Sequence, residues 1–256
     1  MTAYAAAASL GPTLVDEAID RCEAAMEQTE GDRQSEAALL AVLSGLYAMQ
    51  GEFDHARSLA TRSRVIFEEL GLQMETARLG MDTGALERLA GNLEGAVSEL
   101  RRAYDALDAV GERFARSTVA GFLAQALLEQ GKLDEASVFC ERSRELTTEA
   151  DIATQALWRY VRARIVLAQQ GAPDEAEQCA REAVELLEAT DAIVYQIEAR
   201  VALAETLVAR DRLDEAREAL ASAEKLAETK GGVVILTGVL RRLEDLDAAL
   251  ATRGSA

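Results

Sequence analysis

Apolar residues recur three and four places apart along most of this chain, and the runs are interrupted at even intervals. Leu39, Leu40, Leu43, Leu46 and Tyr47 make one such face, and Leu59, Ile66 and Leu70 the next. That spacing is one side of an α-helix. The breaks predict a helix that follows Gly11-Pro12 and reaches Gln28, one that follows Gly31-Asp32 and ends at Gly51, and one that ends at Gly71. Further helices are predicted over 73–90, 93–110, 113–130, 133–149, 152–170, 173–190, 193–210 and 213–230, with Asp151 as an N-cap. After the Gly231-Gly232 joint, Leu236, Val239, Leu243, Leu246 and Leu250 mark a last helix over 232–252.

A short phrase punctuates every second helix: a glycine, a bulky residue two places on and an alanine five places on. It stands at Gly51/Phe53/Ala56, Gly91/Leu93/Ala96, Gly131/Leu133/Ala136 and Gly171/Pro173/Ala176, and at Asp211/Leu213/Ala216 with aspartate replacing glycine. Markers at 51, 91, 131, 171 and 211 repeat every forty residues. A fixed period of this size is the signature of a solenoid, whose units bury their faces only against each other. Glycine permits a left-handed turn, the bulky residue can plug the hairpin, and alanine lets paired helices approach. The expected object is one helical-repeat domain over 1–256, with an irregular first unit over 1–50 and a capping helix at the end. The other reading of that last helix is the seam of a homodimer.

Composition narrows the class. Apolar residues form 49% of the chain but aromatics only 4%, with two prolines, which suits helices packed through Ala and Leu. A net charge of −18 opposes nucleic acid and anionic lipid, and no run reaches the length of a membrane span. Cys22, Cys140 and Cys179 form no C-x-x-C pair, so they suggest packing and no disulfide or zinc. Met1–Leu10 lacks the basic start of a signal peptide, so the cytoplasm is the expected compartment. Arg-rich, Ala-rich usage is compatible with a GC-rich bacterial genome.

Two charges stand at core-like places. Arg164 falls where other units carry Ser44, Gly84, Ala124 and Ala204, the tight helix contact, so either the register shifts there or a buried cation needs a carboxylate. Glu87 falls where other units carry Tyr47, Leu127, Leu167 and Leu207. His55, the only histidine, has no partners for a metal cluster or triad. Gly131-Lys132 is followed by Leu133 and lacks the upstream glycine of a P-loop. No nucleophile, base and orienting group come together, so no enzyme and no cofactor are expected.

A helical hairpin with G-x-[FL]-x-x-A at its turn resembles the tetratricopeptide repeat, and the longer period is similar to the repeats of maltose-regulator-type activators. GERFARSTVAGFLAQALLEQGKLDEA (111–136) and LWRYVRARIVLAQQG (157–171) resemble the C-terminal repeat region of bacterial regulators that carry a class III cyclase domain and an AAA-type ATPase domain. The resemblance implies an all-α right-handed superhelix of about six antiparallel hairpins with a partner groove along the first helix of each pair. On a strict forty-residue frame, the groove rows lie thirteen, ten and six residues before each marker. They read Ala38, Arg78, Thr118, Trp158, Glu198; Ala41, Met81, Gly121, Val161, Val201; and Gly45, Ala85, Gln125, Ile165, Glu205. Trp158 beside Arg159 and Arg162 fits a binding hot spot or packing into the next hairpin. Trp158, Arg162, Arg78, Met81, Gln125 and Glu198 are therefore the candidate binding residues. The expected function is a non-enzymatic scaffold holding a protein or peptide, with a cyclase/ATPase-type signalling domain as one such partner. A sensor of a small effector, lined by Trp158 with Arg162 or Arg78, is the alternative.

Overall fold

A computed structural model describes residues 10–28 and 31–254. Among them twelve helices follow in order and there is no strand. They are α1 (Val15–Glu27), α2 (Arg33–Gln50), α3 (Phe53–Glu69), α4 (Gln73–Leu89), α5 (Leu93–Ala109), α6 (Phe114–Glu129), α7 (Leu133–Leu146), α8 (Ile152–Ala168), α9 (Pro173–Leu187), α10 (Ile193–Ala209), α11 (Leu213–Lys230) and α12 (Val233–Gly254). Pro12 lies outside the first helix, which starts at Val15. The α7 helix stops at Leu146 because Thr147 turns extended, at φ −70° and ψ 157°.

The marker chemistry works as local capping. Gly51 sits at φ 85°, its N–H donates to the Ala48 carbonyl at 3.1 Å, and the Glu52 N–H donates to Tyr47 at 2.9 Å. Gly91 and Gly131 repeat this at φ 75° and 78°. A β-carbon there would meet the following carbonyl, which is why glycine closes these helices. Asp211 takes the same conformation at φ 63°, as short polar side chains can. Behind the turns, Ala56, Ala96, Ala136, Ala176 and Ala216 are all 0% exposed.

One marker departs from the strict frame. The left-handed residue of the fourth repeat is Gln170, at φ 55°, with Gly171 one place beyond it. Counting from the left-handed residues at 51, 91, 131, 170 and 211, the tight-contact row becomes Ser44, Gly84, Ala124, Ala163 and Ala204. All five are buried. Arg164 thus leaves the tight contact for the row of Gly45, Ala85, Gln125 and Glu205, so a register shift resolves that irregularity. The same shift moves Trp158, Val161 and Ile165 off their expected groove rows and installs Leu157, Tyr160 and Arg164.

Helices pair across each marker as hairpins: α2 with α3, α4 with α5, α6 with α7, α8 with α9 and α10 with α11. The first helix of each hairpin also packs on the first helix of the next, forming an inner row with the second helices outside. The stack then turns back on itself. The α12 helix packs on α11 and also on α2, where a β-carbon added to Gly51 would lie 3.5 Å from Val234 and one added to Gly232 would lie 3.5 Å from Met49. At this seam the buried Lys230 ammonium donates to the carbonyls of Gly11 at 3.1 Å and Thr13 at 3.2 Å. Burial holds its pKa down to about 8. Val239, Leu243 and Leu246 of α12 join the core of α10 and α11, so the stripe a dimer seam would use is covered from within the chain.

Close approach inside the hairpins can be measured. A β-carbon on Gly84 would lie 2.5 Å from Leu100, which is itself buried, whereas one on Gly45 would meet nothing within 4 Å. Gly84→Ala is expected to cost about 1–3 kcal/mol through overpacking. Gly45→Ala is expected to stabilise α2 by about 0.5–1 kcal/mol through reduced backbone entropy. Urea unfolding of both variants beside wild type checks the pair; equal midpoints would show that the hairpins are loosely packed.

Candidate functional site

The inner helices α2, α4, α6, α8, α10 and α12 enclose an interior, because the last of them returns to the first. Side chains that a straight stack would offer to solvent meet across it. Arg88 of α4 donates to Glu198 of α10 at 2.8 Å and to Glu129 of α6 at 3.1 Å. Arg164 of α8 donates to Glu205 of α10 at 2.9 Å and lies 3.7 Å from Glu129. Arg242 of α12 reaches Glu205 at 3.5 Å, and the Gln125 amide of α6 donates to Glu198 at 3.4 Å. Arg88, Arg164 and Arg242 thus face Glu129, Glu198 and Glu205, and their charges cancel.

Each member is surrounded by protein yet keeps some accessible surface toward the interior, 19% for the Arg88 side chain and 23% for Glu198. Burial alone would push the Glu198 carboxyl up, but Arg88 and Arg164 outweigh it and hold it below the usual carboxylate range. Burial likewise opposes the Arg88 charge, and Glu198 and Glu129 restore it. Charges so placed are held by their partners; removing one partner strands the other.

A second level lies one helical turn away along the same faces. Phe122 is three residues before Gln125 on α6, and Tyr195 three before Glu198 on α10; their ring centroids are 6.1 Å apart. Asp82 of α4 lies near enough for its charge to act on Tyr195. Among the described residues it makes no ion pair and no hydrogen bond, and burial raises its pKa to about 7. Burial also raises the Tyr195 phenol, and Asp151 and Asp82 push it further. Asp151 accepts the Thr154 N–H at 3.1 Å with Oδ1, capping α8, while its buried Oδ2 has no hydrogen-bond partner. The Gln125 Oε1, on a fully buried side chain, has none either.

The six residues expected to bind do not form one surface. Met81, Gln125 and Glu198 belong to the interior walls, Met81 packed against the main core. Arg78 is exposed on α4. Trp158 and Arg162 instead line a cavity of about 290 Å3 between α7, α8 and α9, with Cys140, Arg144, Glu175 and Cys179. There the indole N–H donates to Gln155 at 3.1 Å, the Arg159 guanidinium stacks 4.2 Å from the ring, and Arg162 pairs with Glu175 at 2.8 Å. The physical reason is the register shift at Gln170, which carries Trp158 from the inner row toward the outer helices. Glu87 accepts two bonds from Arg57, at 2.8 and 2.9 Å, and one from Asn92, a structural pair between α3 and α4. Asp82, Arg88, Phe122, Glu129 and Tyr195 escaped the sequence reading; the displaced Arg164 was the one signal of an interior charge network. Among the described residues no group of His, Cys, Asp and Glu could hold a metal, and no helix is long and apolar enough to cross a membrane.

No family model matches the chain, and no curated protein matches it in sequence. Solved structures do match in shape. NprR in complex with its cognate peptide NprX superposes with a TM-score of 0.66, at 14% identity over 88% of this chain and 65% of that one. A Rap protein complexed with competence and sporulation factor gives 0.60, at 15% identity over 93% of this chain and 71% of that one. BtubC from P. vanneervenii gives 0.59, at 14% identity over 84% and 88%. The fold is a tetratricopeptide-like helical-repeat solenoid. At these identities the likeness concerns the fold alone.

The interior charges generate two expectations. Asp82 has a folded pKa raised above the ordinary 3.8, so its penalty is absent below that value, grows as pH rises, and is complete above about 7. Asp82→Asn should therefore stabilise the chain at pH 8 by about 2 kcal/mol and much less at pH 4, in urea titrations at both pH values. Arg88→Met should cost about 3 kcal/mol or more, because Glu198 is stranded, and Arg88→Met/Glu198→Met should recover most of that loss. A double variant no better than the single would show that the two residues are not coupled.

Proposed function

We propose that this chain is a non-enzymatic regulatory interaction module that holds a partner segment, a peptide or a stretch of another protein, on its inner face. The observation that carries the reading is the interior that the inner helices enclose, where Phe122 and Tyr195 meet across it and the buried Gln125 Oε1 and Asp151 Oδ2 have no hydrogen-bond partner. Buried polar groups normally find partners, so an interior that leaves two acceptors unpaired is suited to a guest that brings donors. Support comes also from the fold: NprR is known in complex with a peptide, and a Rap protein with competence and sporulation factor. The resemblance of 111–136 and 157–171 to cyclase/ATPase-type regulators supports a signalling domain as the source of the segment and the cytoplasm as the compartment.

The Trp158 cavity favours a second reading, a small effector held between α7, α8 and α9. Its size suits a metabolite, and an indole wall with two arginines suits an aromatic or acidic one. The two sites separate cleanly by mutation. Chemical cross-linking of partners in native-host lysate, read by mass spectrometry, is expected to place the partner's cross-links at the inner helices. Met81→Glu should abolish them and Trp158→Ala should leave them intact. Loss in Trp158→Ala alone, together with thermal stabilisation by a metabolite, would transfer the function to the outer cavity.

A further inference from the structure

The cavity beside Trp158 has walls of both charge signs. Arg162 donates through Nε and Nη2 to one oxygen of Glu175, Oε1, at 3.0 and 2.8 Å, so among the described residues neither its Nη1 nor Glu175 Oε2 makes a hydrogen bond. Arg144 pairs likewise with Glu141, its Nε lying 3.0 Å from both carboxylate oxygens. All four line the cavity and keep between 38% and 56% of their side-chain surface. The remaining walls are apolar: the Trp158 indole, whose N–H is already taken by Gln155, and the thiols of Cys140 and Cys179. The Cys140 S–H is spent as well, on the Trp158 carbonyl at 3.3 Å. Trp158 is the only tryptophan of the chain, and the slip at Gln170 brings it here, where the third hairpin meets the fourth.

We infer that this cavity binds a free α-amino acid with an aromatic side chain, held as a zwitterion. A carboxylate alone could reach Arg162 only beside Glu175, and an ammonium alone could reach Glu175 only beside Arg162, so either charge by itself meets a like one. A zwitterion answers both members of the pair and leaves the cavity neutral. Exposed ion pairs of this kind contribute little, so Arg162 and Glu175 can part to admit it. The aromatic side chain then has the indole to pack against, and ring pairs gain more than their buried area alone provides. A cavity of about 290 Å3 is small for a ligand site, so it admits a single amino acid and refuses a peptide. This assignment rests on the reading of the outer cavity as an effector site, and it narrows the effector to a molecule bearing both charges.

The whole chain is titrated with L-phenylalanine, with 3-phenylpropionate, which lacks the ammonium, and with phenethylamine, which lacks the carboxylate. Binding is read by calorimetry and by the emission of Trp158. Alkylation of the half-buried Cys179 by N-ethylmaleimide, mapped by mass spectrometry, locates the ligand. L-Phenylalanine is expected to bind at least tenfold tighter than either analogue and to slow that alkylation. Glu175→Gln, whose fold is checked by circular dichroism, should lose the preference for L-phenylalanine over 3-phenylpropionate. Equal binding of 3-phenylpropionate by wild type, with Cys179 protected, would overturn the zwitterion and leave the small-effector reading standing. Binding of L-phenylalanine that leaves Cys179 unprotected would place it elsewhere and overturn the inference too. Binding of none of the three overturns the inference, and the small-effector reading falls with it only if a metabolite thermal-shift screen also finds nothing that protects Cys179.

Discussion

The structure depends on how closely two helices of a hairpin can approach at one point. Ser44, Gly84, Ala124, Ala163 and Ala204 mark it, each buried and each too small to hold the helices apart. The β-carbon that Gly84 lacks would intrude on Leu100, so the approach is already at its limit. From this follow the buried marker alanines on the outer helices and the glycine turns that reverse the chain in so little length. Interiors as dense as crystals tolerate no extra methyl group at such places. A repeat that kept its length but lost the small residue would tilt its hairpin and misplace every unit after it.

Accumulated over successive hairpins, a fixed tilt brings α12 to α2, and the consequence of closure is electrostatic. Residues on inner faces, which an open solenoid leaves in water, become enclosed. The chain meets the desolvation cost by pairing: Arg88 with Glu198 and Glu129, Arg164 with Glu205 and Glu129, Arg242 with Glu205. Arg88 and Glu198 are 110 residues apart, so the pair couples α4 to α10 directly. Losing Arg88 leaves Glu198 without an ion-pair partner, so this pair ties α4 to α10 most strongly. The Lys230 bonds to Gly11 and Thr13 add a seam made of backbone carbonyls and one desolvated ammonium.

Local features were legible in the sequence because they are set within a few residues. The helix boundaries at Gly31, Gly51, Gly71, Gly111 and Gly231 and the caps at Asp32 and Asp151 are positions whose backbone demands and side-chain oxygens decide the outcome on the spot. The one-residue slip at Gln170 was visible only as its symptom, an arginine at an alanine position. Glycine at 171 kept the forty-residue frame in sequence while the left-handed turn moved to its neighbour. Trp158 was carried off the inner row with it. The interior site was illegible for a different reason. Arg88 and Glu129 stand near helix ends beside a turn, where charges ordinarily meet water, and only the sum of small rotations over several hairpins brings them together.

That sum also explains why Asp82 is informative. In an interior where the other charges are matched, an isolated carboxyl opposes folding whenever it is ionised, and asparagine would fill the same space without that cost. Among the described residues no hydrogen bond or ion pair fixes its orientation, so it lacks the partners that a structural carboxylate uses. Local disagreement of this kind, inside a fold whose other choices agree, is the usual mark of a functional place.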